Sequence, residues 1–161
     1  MTIKRMPVFV AALVAAASFA NAAMASDEGL ISGSSCAVRA GSAKYTSDGW
    51  ATNETSNNLY LDCPLLRTSV DTNDVTATVW VINTDATKDG FVCTFVTDNT
   101  NSNGFHQVSR HTTATSTSSQ QLFWDDLYTE DLMPMHIRCL LPPQSAQLGP
   151  SALTKIYWEE W

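Results

Sequence analysis

The sequence predicts an all-β domain, a single antiparallel β-sandwich of jelly-roll-like or immunoglobulin-like form, and three observations support this. Short runs alternate apolar and polar residues with a period of two, which sends successive side chains to opposite faces of a strand. Clusters of Gly, Pro, Asn and Asp separate those runs at short intervals, as turns between strands require. Beyond the first 25 residues, no window carries the apolar stripe of an amphipathic helix.

The N-terminus reads as a secretory signal peptide over residues 1–25. Lys4 and Arg5 precede an apolar run from Val8 to Ala20, followed by two small-x-small cleavage candidates, Ala20-Asn21-Ala22 and Ala23-Met24-Ala25. The run is shorter than the ~20 apolar residues of a spanning helix, so no membrane span is expected after cleavage. Residues 26–161 are then one exported domain, secreted or periplasmic and bacterial in kind. The formal charge of the chain is −7, and losing Lys4 and Arg5 makes the remainder more acidic. Such a surface disfavours nucleic acid and anionic lipid as partners.

Cys36, Cys63, Cys93 and Cys139 all follow the cleavage candidates. An even number of cysteines in an exported chain indicates two disulfides, and a zinc site would lack any Cys-x-x-Cys pair. Four cysteines allow three pairings between which sequence does not choose. The expectation adopted is Cys36 with Cys63 and Cys93 with Cys139.

Taken in order, Ser26 to Ser34 is polar and reads as a flexible start. Cys36 to Ala40 is a short strand candidate with Cys36, Val38 and Ala40 on one face, and Ser47-Asp48-Gly49 is a turn before Trp50. Asn53-Glu54-Thr55 matches the glycosylation sequon, a coincidence in a prokaryotic setting. Asn58 to Cys63 places Leu59, Leu61 and Cys63 on one face, and Pro64 ends that strand or puts it at an edge. In Val75 to Ile82, Val75, Ala77, Val79 and Val81 point one way, while Thr76, Thr78, Trp80 and Ile82 point the other. Asp89-Gly90 leads into Phe91 to Val96, with Phe91, Cys93 and Phe95 on one face. The two runs are expected to pair as a hairpin across that turn signal. Phe105 to Thr113, Ser119 to Trp124, Met135 to Leu141 and Ala152 to Trp161 complete about eight strands. Met135, Ile137, Cys139 and Leu141 share an inward face. Trp161 prompts comparison with an outer-membrane barrel, but Lys155 and Glu159 occupy the alternate positions where lipid-facing residues belong.

Candidate sites are few. Asn99, Asn101, Asn103 and Gly104 fit the early positions of a calcium loop, but Arg110 stands where its bidentate Glu belongs, so a plain turn is expected. His106, His111 and His136 have no metal-ligand spacing, and neither a metal nor a cofactor is expected. Trp124, Asp125, Asp126 and Tyr128, followed by Glu130 and Asp131, form the densest acidic and aromatic cluster. A ring beside carboxylates can bind sugar by stacking on its apolar face and accepting its hydroxyl protons. The same aromatics can equally plug the end of a sandwich. Adjacent carboxylates such as Asp125 and Asp126 point to opposite faces of a regular strand, which argues against a glycosidase pair unless the chain bends there.

The order Cys36, Leu61-Asp62-Cys63-Pro64-Leu65, Phe91-Val92-Cys93, His136-Ile137-Arg138-Cys139-Leu140-Leu141-Pro142 and Ile156-Tyr157 resembles a set of small exported bacterial proteins of unknown role. The resemblance implies a signal peptide, a β-sandwich and two disulfides, and implies no activity. Three function classes follow as expectations. The leading one is a non-catalytic binding or cell-surface protein whose partner is an extracellular glycan or surface protein. The others are a glycan-active hydrolase and a subunit of an extracellular polymer.

Overall fold

The structure, a computed structural model, describes residues 27–67, 74–85, 90–99, 104–112, 114–129 and 133–161. The expected signal peptide, the Asn-rich loop tip at 100–103, and Glu130 and Asp131 lie outside the described residues.

The described strands are β1 (Asp27–Ser32), β2 (Ala37–Ala40), β3 (Lys44–Tyr45), β4 (Ala51–Asn53), β5 (Leu59–Leu65), β6 (Asp74–Ile82), β7 (Phe91–Asn99), β8 (Gly104–Thr112), β9 (Gln120–Tyr128), β10 (Met135–Leu141) and β11 (Ser151–Glu160). A single 3₁₀ turn, Gly33–Ser35, joins β1 to β2. All described pairings are antiparallel. One sheet runs β3-β4-β11-β6-β9, with β1 also on β11, and the other runs β2-β5-β10-β7-β8. The eight strands from β4 to β11 therefore lie as 4-11-6-9 over 5-10-7-8, the interleaved order of a jelly roll, and the expected fold class is found.

The inward sets follow the alternation. Leu59, Leu61 and Cys63, then Val75, Ala77, Val79 and Val81, then Phe91, Cys93 and Phe95, then Met135, Ile137, Cys139 and Leu141 are all buried between the sheets. Ile156 and Trp158 of β11 close the core from the six-stranded side. Glu160 also points inward, 1% exposed, and Arg67 meets it at 3.5 Å, which offsets the cost of enclosing a carboxylate.

The expected hairpin between Val75–Ile82 and Phe91–Val96 is not formed. β6 pairs with β11 and β9, whereas β7 pairs with β10 and β8, so the two runs belong to different sheets. Both runs bury one face in the shared core, and the period of two is the same whether they are neighbours or face each other across the sandwich. β2 also departs from expectation, since Val38 is 40% exposed while Cys36 is buried. Asp27–Ser32 is ordered rather than a loose start, because β1 pairs with β11 along its length. A Cβ at Gly29 would meet a Trp158 ring atom at 2.0 Å, so only glycine lets β1 cross that indole. Pro64 sits where β5 has run past β2, on a stretch with β10 as its paired neighbour, which is the edge-like setting a missing N–H needs.

The disulfides pair Cys36 with Cys63 and Cys93 with Cys139, as expected. Asn53 of the sequon is fully buried, and its Nδ2 donates to the carbonyls of Asn57, Leu141 and Pro142 at 2.7, 3.1 and 2.9 Å. It holds a loop end in place and is not available as a glycan acceptor.

Candidate functional site: an aromatic groove on the six-stranded sheet

The outer face of the six-stranded sheet is built by the residues that alternate away from the core. Register places Trp80 of β6 between Lys155 of β11 and Gln121 of β9. One row away, Leu30, Tyr157, Thr78 and Phe123 follow one another across β1, β11, β6 and β9. Leu30 and Phe123 are 66% and 51% exposed, so apolar surface extends over this face instead of being buried.

A groove of about 560 Å³ opens on this face, with Trp50, Trp80 and Ile82 as apolar walls and Asp48, Ser119 and Lys155 among its polar lining. Both indole walls are fixed by neighbouring groups. Trp50 follows a tight turn in which Gly49, at φ 80°, donates to the Thr46 carbonyl. The Trp50 amide donates to Thr46 Oγ1 at 3.1 Å, while Ser34 N–H donates to the Gly49 carbonyl at 2.8 Å. Trp80 is held by the Lys155 ammonium 4.3 Å from its ring centroid, a cation–π contact that occupies one face of the indole. A register shift in β11 between Leu153 and Lys155 frees Thr154 to donate from Oγ1 to the Trp80 carbonyl at 3.0 Å. The loop before β9 is anchored by Ser116 N–H to Asn83 O at 2.7 Å and by Gln120 Nε2 to Ala114 O at 2.7 Å.

Tyr157 is the titratable group on this face with a displaced pKa. Its hydroxyl donates to Glu28 Oε2 at 2.8 Å, and that hydrogen bond, with desolvation and the nearby Glu159 charge, pushes the phenol up to about 12. Tyr157 is thus a neutral donor committed to Glu28 across the physiological range.

The residues singled out from sequence occupy a different place, on β9. Trp124 is fully buried and donates from Nε1 to the Val108 carbonyl at 2.8 Å, so its ring joins the two layers and has no face to offer a ligand. Asp125, Asp126 and Tyr128 are exposed. The chain bends between Trp124 and Leu127, where the pairing with β6 jumps from Ala77 to Val75 and Asp126 takes φ 48°. That bulge keeps Trp124 and Leu127 inward on either side of two exposed acids, an arrangement regular alternation forbids. None of these four residues lines the Trp50–Trp80 groove.

Alternation alone sends Trp80 outward, and a large aromatic on the solvent side of a strand of Val, Thr and Ala was the available signal for this face. Trp50, directly after a turn, carried no comparable mark. Among the described residues, no helix is long and apolar enough to cross a membrane, and no group of three metal-ligating side chains converges.

No family model and no curated protein sequence matches the chain. Solved structures with a similar arrangement include a family two carbohydrate esterase from Cellvibrio japonicus, at 9% identity and TM-score 0.48, over 84% of this chain and 34% of that one. The chain thus spans about a third of the esterase's length. The CBM36-1 domain of a multidomain xylanase from the hindgut metagenome of Trinervitermes trinervoides is similar at 8% identity and TM-score 0.46, over 83% and 96% of the two chains. TmCBM61, solved in complex with β-1,4-galactotriose, is similar at 7% identity and TM-score 0.47, over 83% and 88%. A likeness of this degree assigns no role to any residue of the groove.

Proposed function

We propose that the protein is an exported, non-catalytic binding protein that takes a glycan in the Trp50–Trp80 groove. The observation that carries this reading is the pair of half-buried indoles opening onto one groove whose polar rim mixes carboxylate, hydroxyl and ammonium. A pyranose presents an apolar C–H face and a rim of hydroxyls. Indole rings take up the first, while Asp48 accepts from hydroxyls and Ser119 and Lys155 donate to them. Both cystines agree with an oxidising compartment, secreted or periplasmic, as the leader over residues 1–25 leads one to expect.

The test is affinity electrophoresis of the exported protein against soluble cell-surface and host polysaccharides, followed by calorimetry on oligosaccharides of any that retard it. Trp50→Ala and Trp80→Ala should each weaken binding at least tenfold with the circular dichroism spectrum unchanged. Retardation by none of the polysaccharides, or unaltered binding by both variants, would overturn the reading. Loss of binding in Asp126→Asn and Tyr128→Ala, with the two tryptophan variants unaffected, would move the site to the β9 bulge.

A further inference from the structure

The opposite face of the sandwich carries a second groove of about 420 Å³, lined by Arg39, Tyr60, Val92, Thr94, Arg138 and Leu140 on the outer side of the five-stranded sheet. Its charge sets it apart from the rest of an acidic protein. Among the described lysines and arginines, Lys44 is hydrogen-bonded to Glu54, Arg67 is paired with Glu160, Arg110 donates to the Phe123 carbonyl, and Lys155 lies on Trp80. Arg39 and Arg138 have neither a hydrogen bond nor a ring, and the buried Nε of Arg138 has no acceptor within hydrogen-bond distance. Both approach the same carboxylate, Asp62, at 4.0 and 3.6 Å, beyond hydrogen-bond distance. Two guanidinium groups are therefore ion-paired with one carboxylate and hydrogen-bonded to none, which leaves a local positive excess.

We infer that this groove is a second binding site, for a single carboxylate-bearing sugar residue, a uronate, on an otherwise neutral glycan. Guanidinium forks match a carboxylate in geometry as well as charge. Tyr60, 43% exposed, supplies a ring for the sugar face, and Val92 and Leu140 supply an apolar floor. The acidic surface repels an extended polyanion over a Debye length of about 10 Å, so an isolated uronate fits and a polyuronate does not. The site is independent of the Trp50–Trp80 groove, which lies on the other sheet.

The experiment is a ¹H–¹⁵N titration of the whole exported domain, reading the arginine Nε–H signals, with methyl β-D-glucuronide, its neutral counterpart methyl β-D-glucoside, and acetate. Glucuronide should shift Arg39 and Arg138 and bind at least tenfold more tightly than either control. The double variant Arg39→Gln/Arg138→Gln should lose at least tenfold in glucuronide affinity, and Asp62→Asn, which removes the competing carboxylate, should bind more tightly than the parent. Trp80→Ala should leave glucuronide binding unchanged, so this site and the aromatic groove stand or fall separately. Equal affinity for glucoside or acetate, no shift at either arginine, or weaker binding by Asp62→Asn would each overturn the assignment.

Discussion

The two sheets of this sandwich are reinforced in different ways, and their outer faces differ accordingly. The five-stranded sheet holds both cystines. Cys93 lies directly opposite Cys139 across β7 and β10, and Cys36 continues the β2–β5 register to meet Cys63. These bridges join neighbouring strands and do not tie one sheet to the other. The six-stranded sheet has no cystine and depends on buried rings, with Trp124 and Trp158 as its largest contributions to the core. Its outer face carries Trp80 and Phe123, while the cross-linked sheet presents two guanidinium groups beside Tyr60. Adhesion between the layers thus rests mainly on apolar burial, with the Trp124–Val108 and Asn53–Leu141 hydrogen bonds crossing between them, and the covalent links stabilise one layer internally.

This division is tested most severely at Trp124. Trp124→Ala should lower unfolding free energy by about 3–5 kcal/mol in a denaturant titration, because it empties the core and removes the bond to Val108. The folded fraction should still bind glycan as the parent does. A near-neutral effect on stability would mean that the layers are not held by that ring.

Removing the Cys93–Cys139 bridge by a double alanine substitution should cost ~2–4 kcal/mol through the larger freedom of the unfolded chain. Removing Cys36–Cys63 should cost about 0.5 kcal/mol less on loop length alone, since the sequence separations are 46 and 27 residues. Thermal melts of the two double variants compare the bridges directly, and the reverse order would show that local packing outweighs loop closure.

On the outer face, Trp80→Ala should leave the melting temperature within a few degrees of the parent but weaken glycan binding at least tenfold, about 1.4 kcal/mol. A large loss of stability would mark Trp80 as structural.

The smallest effect concerns Tyr157. Its folded pKa is raised to about 12, above the ~10 of a free phenol. The stability it contributes is therefore fully present below pH ~10 and lost as pH climbs toward 12. Absorbance at 295 nm should show a late phenol component that shifts down in Glu28→Ala. A component that does not move would exclude the Glu28 hydrogen bond as its main cause.

Much of the sandwich was legible because inward and outward positions are a local property. The alternation in Val75 to Ile82 and in Met135 to Leu141 reports burial whatever strand lies alongside. The candidate site was less legible. Trp124 attracted notice through its acidic neighbours, yet the bulge at Asp125 and Asp126 turns both acids outward while the indole stays inside. Composition around an aromatic does not reveal its direction. Trp80 was sent outward by the same alternation that buried its neighbours, but nothing local showed that Trp50, thirty residues earlier in the chain, would come to the same groove.

By itself, then, the sequence determined the all-β class, the inward faces of the long strands and the presence of paired cysteines, because each follows from nearest-neighbour periodicity or from counting. Only the tertiary structure decided that β6 and β7 belong to opposite sheets, that both bridges lie within one layer, and that Trp50 and Trp80 share a groove while Trp124 is enclosed. Those outcomes depend on which distant segments bury one another's apolar faces, and a period of two is the same for every partner a strand could take.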